Sequence, residues 1–217
     1  MKIEIFYDTL CSWCRVVKVN FKHAVEKLVE EGKIDPKKLE IIYRSYVIYP
    51  DVPETGLDYQ KELADDDDLE KIDPKKDTPI HRWGRRAGME FNFEKIKIKP
   101  NTYKAHQFLH LIDKKYFEPL LADIHVEFFE KGSNINDLNF IVKLATKYIP
   151  KAKAEELKAK VLNGEAREEV EDDIEIAEGY NIDLVPLYVF DGKVRLEGGI
   201  LQKKFEDALL GQIEPNM

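Results

Sequence analysis

The chain has 217 residues and a mass of 25.3 kDa, with 43% hydrophobic residues, 35% charged residues and a formal net charge of −8. That length holds one domain with a large insertion or two small ones, and enough core that no disulfide staple is needed. The 11% aromatic content excludes a disordered or collagenous chain, and 42 acids against 34 bases argue against a dedicated nucleic-acid binder.

Lys2 to Tyr7 is β-branched and aromatic and reads as a short buried strand. Acids at Glu4 and Asp8 interrupt it and no apolar h-region follows, so no signal peptide is expected. Nor does any stretch reach the ~18 uninterrupted apolar residues of a membrane span, so the expected address is cytoplasmic. Asp8-Thr9-Leu10 is a turn in which Asp8 or Thr9 is placed to cap a helix. From Cys11 onward Trp13, Val16, Val17, Phe21, Ala24, Leu28 and Val29 recur at helical spacing, and Gly32 suits the helix end. A second strand is predicted over 39–47, which completes a strand–helix–strand opening.

Residues 51–164 read differently. Pro50 and Pro53 mark a break, and Glu54 to Asp77 carries ten acids and four bases, including Asp65-Asp66-Asp67-Asp68. Such a run is expected to be a solvated loop. Helical patterns follow at about 80–88, 102–114, 117–131, 137–148, 152–162 and 165–178. The chain then returns to strands at 187–190 and 194–197 around an Asp191-Gly192 turn, a strong hairpin signal, before a last helix at 201–210. The predicted organisation is an α/β domain formed by 1–50 and 165–217, interrupted by a helical insertion domain, 51–164.

The only two cysteines, Cys11 and Cys14, form a C-x-x-C pair. A structural zinc site wants four ligands at metal spacing, and no metal site is expected. Redox chemistry is the leading reading. Residues three apart on a helix share a face, so the two sulfurs can bond or separate with little backbone movement. Cys11 at the helix N-terminus, where N–H groups and the dipole favour an anion, is assigned as the attacking thiolate. Cys14, one turn inside and expected to be the more buried, is assigned as the resolving thiol. Ser12 is placed to donate to the Cys11 sulfur and Trp13 to wall the substrate side, or else the two simply cap and pack. Val185-Pro186 precedes the hairpin. With a cis bond there, the backbone of Val185 would be offered to a substrate peptide, but the sequence does not fix the isomer.

Asp8-Thr9-Leu10-Cys11-Ser12-Trp13-Cys14, Tyr43-Arg44-Ser45-Tyr46 with Pro50, Asn101-Thr102-Tyr103-Lys104-Ala105-His106 and Val185-Pro186-Leu187-Tyr188-Val189-Phe190-Asp191-Gly192 together resemble the DsbA family, in its FrnE-like branch. The resemblance implies a thioredoxin fold with a large helical insertion, a cis peptide at Val185-Pro186 and thiol–disulfide exchange. The implied partners are disulfide- or thiol-containing proteins or small molecules, with no nucleic acid, membrane or bound cofactor, and glutathione as the candidate co-substrate. The redox partner is not legible. This chain departs from the pattern in three places. Ser12 stands where the branch usually has Pro, and Arg15 where Tyr is common. Ile3 and Ile5 are apolar where many thioredoxin-fold enzymes place a buried carboxylate, which leaves the Cys14 proton to water or to another residue.

Three other constellations carry weaker signals. His106 and His110, with Asp113, have metal-like spacing but lack the Glu of H-E-x-x-H. A helix facing a cleft or core explains them better, and His106 is a candidate for the substrate groove. His81 to Arg86 gathers three arginines and reads as a solvated helix start rather than an anion site. The alternative function is a glutathione-dependent isomerase or transferase of the kappa and 2-hydroxychromene-2-carboxylate isomerase type, which shares the fold but needs no resolving cysteine. A third, a binding or chaperone module, would survive loss of both thiols.

Overall fold

Strand alternation places the core of the first structural unit. The computed structural model describes residues 1–65 and 77–217. In β1 (Lys2–Tyr7), Ile3 and Ile5 point to one face and Phe6 to the other, and all three are buried. β1 pairs in parallel with β2 (Glu40–Ser45), from Lys2 opposite Glu40 to Tyr7 opposite Ser45. On its other side it runs antiparallel to β5 (Leu187–Phe190), with Ile3 opposite Phe190. β6 (Val194–Glu197) completes the sheet, in the order β2-β1-β5-β6. Asp191 (φ 49°) and Gly192 (φ 65°) both take the left-handed conformation the Asp-Gly pair favours, and with Lys193 they form a three-residue connection between Phe190 and Val194, which pair.

Helices cover both faces of this sheet. Ile3, Ile5, Tyr188 and Phe190 pack with Val17, Phe21, Ala24 and Leu28 of α1 (Ser12–Glu30) and Phe205, Ala208 and Leu209 of α9 (Gln202–Leu209). The Tyr188 and Phe205 rings meet at 4.7 Å. On the other face Phe6, Leu187 and Val189 pack with Ala177 of α8 (Arg167–Gly179). Burial on both faces is why β1 and β5 read as nearly continuous apolar runs. A buried ionic clasp ties β1, β2 and α8 together. Arg44 donates to Glu4 Oε1 (2.8 Å) and Asp173 Oδ1 (2.9 Å), and the Ser45 N–H donates to Asp173 Oδ2 (2.8 Å).

This unit comprises Met1–Tyr46 and Asp173–Met217, and Val47–Asp172 forms a second one. The predicted boundaries lay at 50/51 and 164/165. α8 carries straight through the observed boundary between Asp172 and Asp173, so no turn or glycine marks the change there.

The second unit contains α2 (Tyr59–Asp65), α3 (Pro79–Arg86), α4 (Tyr103–Leu111), α5 (Lys114–Phe129), α6 (Leu138–Ala145) and α7 (Lys151–Leu162). An aromatic core of Phe91, Phe93, Phe128 and Phe129 holds its first half, with Phe91 and Phe93 stacked at 5.4 Å. Gly132 is required there, since a Cβ would lie within 2.3 Å of the Lys95 carbonyl. The break between α4 and α5 falls earlier than predicted, because Asp113 caps α5 by accepting from the Lys115 N–H. β3 (Leu57–Asp58) and β4 (Ile98–Lys99) pair antiparallel and were not predicted, since two residues cannot display an alternation. The short helix α2 was also not predicted. Asp66, Asp67 and Asp68 of the acidic run lie outside the described residues.

Candidate active site

The end of β1 delivers the dithiol. Its chain turns at Asp8, whose carbonyl accepts from the Cys11 N–H (3.1 Å) and whose Oδ1 accepts from the Leu10 N–H (3.3 Å). Asp8 and Thr9 are wholly buried. Neither caps α1 as predicted; the N-cap is Cys11 itself, with its Sγ accepting from the Cys14 N–H at 3.1 Å. The helix therefore presents an N–H of its first turn to the sulfur that would carry charge. Cys11 and Cys14 approach to 2.7 Å and both are free cysteines. They are almost equally buried, at 6% and 5% exposure, so the helix does not hide one more than the other.

Environment separates the two thiols. Burial pushes the Cys14 thiol well above its ordinary value of 9.0, and the hydrogen bond and charge of Cys11 add to the rise. The Asp8 backbone hydrogen bond opposes it and the Asp8 carboxylate reinforces it. An acid with a raised folded pKa stabilises the fold below its unfolded pKa, and that stability is lost as pH rises beyond it. The reduced protein is therefore expected to lose stability above about pH 9 more steeply than the Cys14→Ser variant. Denaturant unfolding at pH 7 and pH 10 under reducing conditions tests this, and parallel alkaline losses would rule it out.

The first unit also brings Val185 and Pro186 to the dithiol. The Val185–Pro186 bond is cis, and Cys11 Sγ lies 3.5 Å from the Val185 carbonyl oxygen, which accepts the thiol. The Trp13 indole lies against Gly199, where an added Cβ would sit 3.4 Å from the ring. Leu184 packs over Gly198 in the same way. Leu184, next in sequence to Val185, is 60% exposed, and Leu201, two residues after Gly199, is 58% exposed. Ser12 is buried beside them, but the donor seen at Cys11 Sγ is the Cys14 backbone. His106 belongs to the second unit, where it is wholly buried within α4 and offers no side-chain surface to a groove. His110, one turn on, is exposed. Among the described residues no cluster has the makings of a metal site.

Sequence reasoning missed the polar lining beneath Cys14. Tyr7, Asp8, Ser45 and Asp173 are all buried there, and burial followed by the charges of Asp173 and Asp8 pushes the Tyr7 phenol well above 10.0. Asp8 was visible three residues before Cys11. Asp173, 128 residues from its partner Ser45, was not.

A mixed four-stranded sheet with helices on both faces, a dithiol at the N-terminus of its first helix and a helical insertion define a thioredoxin-fold protein. The chain belongs to the family described as the DSBA-like thioredoxin domain, which matches residues 2–210. No curated protein sequence matches significantly. Among solved structures it is similar to a "probable DsbA oxidoreductase" of Streptomyces coelicolor, at TM-score 0.82 and 20% identity, covering 100% of this chain and 93% of that one. It is also similar to the cytosolic disulfide reductase DsbM of Pseudomonas aeruginosa, at TM-score 0.65 and 13% identity over 98% of both chains. A third similarity is to a 2-hydroxychromene-2-carboxylate isomerase, at TM-score 0.61 and 13% identity, covering 96% and 94%. Identities this low carry the fold.

Proposed function

We propose that this protein is a FrnE-like thiol–disulfide oxidoreductase that acts on disulfides or thiols of polypeptides through Cys11 and Cys14, with a cytoplasmic address. The observation that carries the reading is the dithiol itself. Cys11 caps α1 and takes the Cys14 N–H, while Cys14 waits in the first turn with its proton held by burial. A substrate disulfide reaching Cys11 forms a mixed disulfide, and Cys14 then displaces the substrate thiol. The exposed Leu184, one residue before Val185, and the partly buried Trp13 favour an extended chain with apolar side chains over a small polar disulfide. The Val185 carbonyl beside Cys11 offers such a chain a backbone acceptor. Among the described residues no helix is long and apolar enough to cross a membrane.

The test is a redox titration of Cys11–Cys14 in glutathione buffers, read by alkylation mass shift. Rapid equilibration at a potential between about −270 and −120 mV is expected for a working exchanger, and the value sets its direction. A pair still oxidised below about −300 mV would be a structural clasp. A pair that never closes would remove the dithiol mechanism and leave the glutathione-dependent isomerase or transferase reading.

A further inference from the structure

We infer that the second unit carries a binding site for a carboxylate on an apolar body with an amide N–H beside it, the chemistry of an N-acylated amino acid. The site is a cleft of about 630 Å³, within the range of roughly 300–1,000 Å³ common to small-molecule sites. Every residue that lines it belongs to Val47–Asp172, so the inference goes beyond the dithiol reading and does not depend on it.

Three walls build the cleft. Tyr103, Lys104 and Gln107 of α4 form the first, and Tyr103 and Gln107, four apart, share a helix face. The segment from Pro50 to Glu54 forms the second. Asn101 Nδ2 ties it down at the Val52 carbonyl (2.6 Å), and Asn136 Nδ2 at the Glu54 carbonyl (2.8 Å). The link from α7 to α8 forms the third wall, with Leu162 and Arg167. Gly164 (φ 85°) and Ala166 (φ 60°) both take left-handed backbone in this link, at a steric cost for Ala166, which has a Cβ. The turn sets the Arg167 guanidinium carbon 5.4 Å from the centre of the Tyr103 ring.

The polar groups left over in the cleft define the ligand. Gln107 is 4% exposed and its Nε2 donates to the Glu165 carbonyl (2.9 Å), but no described residue donates to its Oε1. Buried acceptors of this kind are normally paired, and an amide N–H of a ligand pairs this one. Arg167 uses only Nε on the protein, in an exposed and therefore weak pair with Glu171 Oε1 (2.8 Å). Its two terminal nitrogens are left as the fork that takes a carboxylate. The Tyr103 hydroxyl makes no hydrogen bond among the described residues and is a further donor to the same group. Among the charged lining residues Lys104 and Arg167 outnumber Glu54, which Lys104 holds at 2.8 Å, by one. That balance suits a monoanionic carboxylate rather than a doubly charged phosphate. Leu162, 60% exposed, faces the Pro50–Pro53 wall across the cleft and gives the apolar body its surface.

Two sources offer this chemistry, a free N-acylated amino acid and the C-terminus of a polypeptide. The experiment titrates the isotope-labelled full chain, followed by NMR, with N-acetyl-L-phenylalanine, with its carboxamide, and with an N-acetylated tetrapeptide of three alanines ending in phenylalanine. N-acetyl-L-phenylalanine is expected to bind with a Kd of about 1 mM or tighter, ordinary for a molecule of its size. The shifts should fall on the Gln107 side-chain amide and on the backbone of Tyr103, Lys104 and Arg167. The carboxamide on the wild-type protein, and N-acetyl-L-phenylalanine on Arg167→Gln, should each bind at least about tenfold more weakly. The Arg167 side chain is 56% exposed, so this variant keeps its fold. A tetrapeptide that binds more tightly than N-acetyl-L-phenylalanine assigns the site to polypeptide C-termini, and one that does not assigns it to the free acylated amino acid. No shift at these residues up to about 10 mM, well above the expected Kd, would overturn the site. So would equal binding of the carboxamide, or full affinity in Arg167→Gln. Exchange by Cys11 and Cys14 stands or falls separately, on the redox titration.

Discussion

Cys11→Ser is expected to abolish exchange, with a loss of the order of 10³-fold or more, as for other enzymes stripped of their nucleophile. Its Sγ takes the Cys14 N–H and faces the Val185 carbonyl, which makes it the sulfur placed for the first attack. Cys14→Ser is expected to behave differently. The first attack proceeds, the mixed disulfide cannot be resolved, and the substrate accumulates as a covalent adduct of Cys11. Intact-mass spectrometry before and after reduction reads both outcomes. A Cys14→Ser protein that turned over at the wild-type rate would mean that the resolving thiol is dispensable. A glutathione-dependent isomerase or transferase would then be the better reading.

Local pattern carried most of the thioredoxin-like unit. β5 and β6 lie where the apolar runs around Asp191-Gly192 placed them, because two left-handed residues reverse the chain there, although Lys193 adds a third residue to the connection. α1 was legible from its buried spacing at Val17, Phe21, Ala24 and Leu28, together with Gly32, whose φ of 67° ends it. The cysteine pair was legible for the same reason, since chemistry confined to one helical turn is written in consecutive residues. What was lost is long-range. Asp173 reads as one more acid on a charged helix, and only the fold brings it to the Ser45 N–H and Arg44. Glu4 reads as an interruption in an apolar strand, yet it is 5% exposed because Arg44 from the neighbouring strand reaches it. His106 failed in the opposite sense. Helical spacing placed it toward a cleft or core and made it a groove candidate, and α4 turns it inward to complete burial.

Breaking the buried clasp from one side should lower the stability of the thioredoxin-like unit. Asp173→Ala removes the acceptor of a buried backbone N–H and one of the two carboxylates held by Arg44. Breaking a buried pair from one side costs about 3–5 kcal/mol, and the 23% exposure of the Arg44 side chain places this case near 3 kcal/mol. At about 2–4 °C per kcal/mol, the Tm should fall by about 6–12 °C. Glu4→Gln tests the same clasp through pH. Burial alone would raise the Glu4 pKa, but hydrogen bonds and charges from Arg44 and Lys2 hold it below 4.5. A carboxyl with a depressed folded pKa gives stability above its unfolded pKa, lost as pH falls through the folded value. Glu4→Gln should therefore be the less stable protein at pH 7, and its deficit should shrink as pH falls below 4.5. Asp173→Ala should keep part of its deficit at low pH, since the Ser45 N–H lacks its acceptor whatever the charge. Urea unfolding of the three proteins at pH 7 and pH 3 separates the contributions. A Glu4→Gln deficit of equal size at pH 3 and pH 7 would show that packing, not charge, holds β1 to β2 at this point.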